Sequence, residues 1–123
     1  MSYDLKFEKK DNILWVTATG TRSLQTVLDI TKDILATCAD SKIKKVLLNV
    51  CALKGRLSTI DAYEIPDRHF PGLRDRSVLT HVAIIDIMRL EESDKFFENV
   101  AVNRGFMLRF FSVTENALEW LNQ

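Results

Sequence analysis

The sequence predicts an α/β fold: a mostly parallel five-stranded sheet with an antiparallel edge strand and about four helices. Three observations carry that prediction. Two strand-like stretches stand back to back at the start of the chain, separated by a short polar turn. Three further apolar strand-like stretches follow. Segments with helical spacing lie between and after them. Alternation of this kind implies a largely parallel sheet, with right-handed crossovers and helices covering it.

Tyr3, Leu5 and Phe7 alternate with Asp4, Lys6 and Glu8, the period of a strand with one wet face. Lys9-Lys10-Asp11-Asn12 reads as a polar turn. Ile13 to Thr19 is rich in β-branched residues and apolar on both faces, so the pair reads as a hairpin with its first strand at the sheet edge. Gly20-Thr21-Arg22-Ser23 breaks the pattern. The Ser23 hydroxyl is placed to accept an orphan amide hydrogen of the helix that follows. Leu24, Val27, Leu28, Thr31, Ile34, Leu35 and Cys38 form that helix's apolar stripe, with Asp29, Lys32 and Asp33 off it. Asp40-Ser41 ends it.

Val46 to Leu53 is nearly continuous in apolar character and reads as the sheet centre. Lys54 to Leu57 is a loop. Ser58 opens a second helix, with Asp61 as a short-armed variant of a capping box. Pro66 lacks an amide hydrogen and would clash with the carbonyl of Ala62, so this helix stops or kinks near Ile65. Pro71-Gly72 is a turn, and Val78 to Ile85 is a second central strand. Glu91, Glu92 and Asp94 suit the positive end of a third helix. Phe96, Phe97, Val100 and Ala101 are its apolar stripe, and Gly105 closes it. Phe106 to Phe111 is the last strand. Ser112 or Thr114 caps a final helix bearing Ala117, Leu118, Trp120 and Leu121.

The 123 residues suit one domain spanning 1–123, and 46% apolar content supplies a core without disulfides or metal. Lys+Arg and Asp+Glu are both 17, and the zero net charge argues against nucleic acid as a partner, which needs a positive footprint. The first residues lack the charged start and apolar stretch of a signal peptide. No apolar run approaches the roughly 20 residues that span a bilayer. The expectation is a cytoplasmic protein without stable membrane insertion. Cys38 and Cys51 lie in apolar surroundings and read as reduced thiols, not a disulfide or zinc site.

Four stretches resemble the SpoIIAA-like branch of the STAS fold, the fold named for sulphate transporters and anti-sigma-factor antagonists. They are Val46 to Arg56, Ser58 to Glu64, Phe97 to Gly105 and Phe111 to Leu121. Together with the element order, the resemblance covers nearly the whole chain. The wider group implied by it spans phosphorylation-controlled protein-binding domains and apolar-ligand carriers of the SEC14 type. In STAS regulators a serine in an Asp-Ser-Ser-Gly stretch, at the start of the helix after the third strand, accepts phosphate. By resemblance Ser58 occupies the comparable place, with Thr59 beside it. The Asp-Ser-Ser-Gly stretch itself is absent, and Lys54-Gly55-Arg56-Leu57 separates Ser58 from the strand.

In open α/β sheets, ligands gather beyond the carboxyl ends of the strands. That rim should carry Arg22, Arg56, Ser58, Thr59, Asp86 and Arg89. The three arginines are placed to converge on an anion, helped by helix amides near Ser58, or else to serve as solvated loop residues. Tyr63, Ile65, Phe70, Leu73 and Met88 would line an apolar cavity beneath the proline-broken helix, or fill ordinary packing. If exposed, they would form a homodimer or partner surface. Cys51 ends the central strand near the rim, but His81 opens its own strand at the opposite rim. Asp86 lacks the acid cluster of a receiver-type phosphoacceptor. No glycine-rich phosphate loop occurs. No catalytic residue, metal ligand or cofactor is assigned. The expected function is a non-enzymatic regulatory or protein-interaction module with an unknown protein partner. The alternative is a small carrier of an apolar or amphipathic ligand.

Overall fold

The computed structural model describes residues 3–54, 80–86, 98–99 and 107–123. The chain opens with a hairpin. β1 (Tyr3–Lys10) and β2 (Ile13–Thr21) pair antiparallel, from Tyr3 opposite Gly20 to Lys10 opposite Ile13. Lys9 and Lys10 therefore belong to the strand, and the turn is Asp11-Asn12 alone. These two residues have φ of 55° and 63°. A two-residue turn that matches the twist of the strands needs positive φ at both positions, and Asp and Asn tolerate it.

The remaining elements are α1 (Leu24–Ser41), β3 (Lys45–Lys54), β4 (His81–Ile85), β5 (Met107–Phe111) and α2 (Thr114–Leu121). The sheet runs β1-β2-β3-β4-β5. β2 to β5 are mutually parallel, with β1 the antiparallel edge. Two of the about four predicted helices are thus present as described elements. Glu98 and Asn99 are also helical, at the place of the predicted third helix. The helix expected at Ser58, and the rest of the third, lie outside the described residues.

Each face of the sheet buries its own core. On one side Leu14, Val16, Val46, Leu48 and Val50 pack against Ile30, Ile34 and Cys38 of α1. On the other, Ile13, Leu47, Ala83 and Ile85 pack against Ala117 and Leu121 of α2. Neighbours such as Ile13 and Leu14 go to opposite faces, which is the period of a strand. Burial on both faces is why β3 reads as a continuous apolar run.

α1 starts as expected: Ser23 Oγ accepts from the Thr26 amide at 3.1 Å. Its buried line is Thr26, Ile30, Ile34 and Cys38. Leu24, Val27, Leu28, Thr31 and Leu35 of the predicted stripe are only half-buried. The line is displaced because Thr26 counts as polar in sequence. Its hydroxyl accepts from Ser23 Oγ at 2.9 Å, so a hydrogen-bonded Thr26 fits the interior. Lys42, in the left-handed conformation with φ of 61°, ends the helix by donating its amide to the Cys38 carbonyl. α2 departs from expectation at its start. Val113 is the N-cap and makes no side-chain cap bond, so neither Ser112 nor Thr114 caps it. Glu115 in the first turn supplies the negative charge that suits those amides.

β3 carries a bulge against β2. Thr17 faces Asn49 but Thr19 faces Ala52, so β3 holds one residue more between the two pairs. Asn49 Oδ1 accepts the Cys51 amide at 2.9 Å within the bulge. The bulge also shifts the alternation. After Leu48 and Val50, the next residue buried toward α1 is Leu53, while Ala52 is exposed.

Candidate functional site

The strand registers shape the carboxyl-end rim. Asn49 of β3 lies abreast of Ile85 of β4, which lies abreast of Phe111 of β5. β3 continues from Val50 to Lys54 beside the end of β2. The two strands therefore project past β4 and β5 as a tongue. The Arg22 amide lengthens it by donating to the Lys54 carbonyl at 2.7 Å.

From this tongue the Arg22 side chain folds back. Its Nη1 donates to Asp86 Oδ2 at 3.1 Å and its Nη2 to the Val50 carbonyl at 3.2 Å. Asp86 follows Ile85 and so stands abreast of Val50, which lets one guanidinium serve two neighbouring strands. Along a straight strand Lys54 and Val50 would lie about 13 Å apart. The register shift of the bulge falls inside this stretch, between Asn49 and Ala52. The Asp86 amide donates to the Phe111 carbonyl at 3.0 Å. One clasp thus joins the ends of all four parallel strands.

The clasp is dry: the side chains of Arg22 and Asp86 are 13% and 7% exposed. Removing Asp86 would leave the Arg22 guanidinium buried without this charge partner. Of the six rim residues singled out from sequence, the structure brings Arg22 and Asp86 together. Arg22 is neutralised by a carboxylate within the fold, which weakens its pull on an outside anion. Its Nε has no hydrogen-bond partner among the described residues. Arg56, Ser58, Thr59 and Arg89 lie outside the described residues. So do the cavity candidates Tyr63, Ile65, Phe70, Leu73 and Met88.

Cys51 sits half-buried beside the clasp, its Sγ 3.7 Å from the Ile85 carbonyl. His81 is at the far end of β4, about 13 Å along the strand. The two do not form a nucleophile and base pair. Cys38 is fully buried in the α1 core, and burial pushes its thiol up to about 11. Among the described residues, no three His, Cys, Asp or Glu side chains form a group that would hold a metal ion. No described helix is long and apolar enough to cross a membrane.

Sequence reasoning missed a cluster under α2, which runs from the opposite rim along β5. The His81 ring meets Trp120 of α2 edge-on, with centroids 5.6 Å apart. His81 Nδ1 lies 3.0 Å from Thr80 Oγ1. Lys45 Nζ donates to the Leu121 carbonyl at 2.6 Å and so satisfies the end of α2. Burial, with the nearby Lys45 charge, lowers the His81 pKa below its ordinary 6.5. The guanidinium of Arg109 lies over Phe111 at 5.6 Å and over Trp120 at 6.0 Å. The His81–Trp120 and Lys45–Leu121 contacts join residues far apart in the chain, so no local pattern announces them.

The fold has close counterparts among solved structures. One is an uncharacterized protein of the DUF3478 family with a SpoIIAA-like fold from Shewanella loihica PV-4. It matches with a TM-score of 0.58 at 22% identity, over 98% of this chain and 94% of that one. Another is an anti-sigma factor antagonist from Mycobacterium paratuberculosis, with a TM-score of 0.57 at 17% identity, over 99% of this chain and 96% of that one. No family model matches this chain, and no curated protein sequence does. The chain has the SpoIIAA-like α/β fold.

Proposed function

We propose that this chain is a non-enzymatic regulatory module that works by binding another protein at the carboxyl-end rim. The observation that carries the reading is the Arg22–Asp86 clasp. It ties the Arg22 side chain to Asp86 and to the Val50 carbonyl at the ends of the parallel strands. A rim built this way favours docking over turnover. The fold shared along nearly its whole length with an anti-sigma factor antagonist supports the same reading. Arg56, Ser58 and Thr59 follow Lys54 in sequence and are the proposed contact residues. Ser58 is the proposed site of phosphate control, since a phosphate there would add charge and acceptor oxygens to a protein surface.

Affinity capture with the full chain, Arg56→Ala and Ser58→Asp tests this. The expected result is a stoichiometric protein partner retained by wild type and weakened by both variants. Equal capture by Ser58→Asp would remove the phosphate control. If native mass spectrometry finds a copurifying apolar small molecule and no protein partner is captured, the docking reading is wrong. The carrier reading, with Tyr63, Ile65, Phe70, Leu73 and Met88, would then replace it.

A further inference from the structure

β1 is the outer strand of the sheet, and Lys6 to Lys10 are all exposed. Phe7 is 40% exposed, one of the few large apolar side chains left open among the described residues. A long strand with an open edge is a template for pairing, and proteins commonly guard it with charges that repel a second strand. The charges on β1 are arranged otherwise.

The Asp11-Asn12 turn makes Lys10 and Ile13 a hydrogen-bonded pair, and antiparallel pairing alternates from there. Even-numbered residues of β1 turn their backbone groups toward β2. Leu5, Phe7 and Lys9 turn theirs outward. An antiparallel copy of β1 docked on this edge must match outward residues to outward residues. Centring the two-fold axis on Phe7 does so, setting Phe7 against Phe7 and Leu5 against Lys9 of the copy. In that same register Lys6 faces Glu8 and Asp4 faces Lys10, so every charge on the even face meets its opposite. These ion pairs fall at the closely spaced, non-hydrogen-bonded positions, where cross-strand side chains interact best. A shift of the axis to Lys6 sets Lys6 against Lys6 and Asp4 against Glu8. A shift to Glu8 sets Glu8 against Glu8 and Lys6 against Lys10.

We propose that β1 is a self-association surface, where two copies of this chain join their sheets antiparallel about a two-fold axis through Phe7. The axis covers the exposed Phe7 with its own symmetry mate, the self-complementary contact expected of a two-fold dimer. This surface lies at the opposite sheet edge from β5. It does not include the Arg22–Asp86 clasp.

Sedimentation of the full chain across a dilution series, with Lys6→Glu and Glu8→Lys, tests the proposal. Wild type is expected to dimerise. Each variant turns two attractive pairs into two repulsive ones and should weaken the dimer by about tenfold or more. An equimolar mixture of the two variants restores both pairs in a heterodimer and should recover the association. Circular dichroism confirms that each variant is folded. A wild type that stays monomeric, or a dimer indifferent to both variants, overturns the proposal. So does a mixture no stronger than its components.

Discussion

At the residue scale the Arg22–Asp86 clasp is the feature with the largest expected consequence. Asp86→Ala strands the guanidinium in a dry rim and should cost about 3 kcal/mol. The double variant Arg22→Met/Asp86→Leu removes both charges and should recover most of that loss. Urea unfolding of the three proteins reads the difference. A double variant as unstable as Asp86→Ala would show that shape, not charge, holds the rim. The sequence places both residues at strand ends, because alternation and breaks mark where strands stop. Their mutual contact is not legible, since it joins positions 64 apart. Ser23 is the contrary case. Its capping bond reaches only to Thr26, so local sequence suffices.

At the element scale the informative contact is α2 on the start of β4. Burial and the Lys45 charge lower the His81 pKa there. Its folded pKa lies below 6.5, the ordinary value that the unfolded chain keeps. As pH falls below that ordinary value, the unfolded chain takes up a proton that the folded chain resists. Stability is therefore full above it and declines as acid is added. In chemical unfolding from about pH 7 to pH 5, His81→Phe should flatten the His81 part of that decline. An unchanged slope would remove His81 from the account. The strands themselves were legible as elements because both faces of β3 are buried. α1 was legible as a helix but not in its facing. Ile30 and Thr26 form the buried line, while the sequence pattern favoured Leu24 and Leu28. A capped threonine looks polar until its hydrogen bond is known. The bulge at Asn49 had no sequence mark, because an asparagine in an apolar strand has many uses.

At the scale of the whole molecule, the order of elements in the sequence, a hairpin and then strands alternating with helical segments, implied a largely parallel sheet with an antiparallel edge, while the strand neighbours were left open. The SpoIIAA-like fold follows from that order and from the structural likenesses. The task is less legible than the fold, because a docking surface is made of exposed residues that no core pattern constrains. The two surfaces proposed here lie apart, the rim at the strand ends and the edge at β1, so each can be tested with the other intact. Hydrogen–deuterium exchange of the full chain, with and without its captured partner, tests the central reading most directly. The account predicts new protection in peptides holding Arg22 and Ser23 and in those from Lys54 to Thr59, with β1 unchanged. Protection confined to β1, or to the His81–Trp120 end, would contradict it.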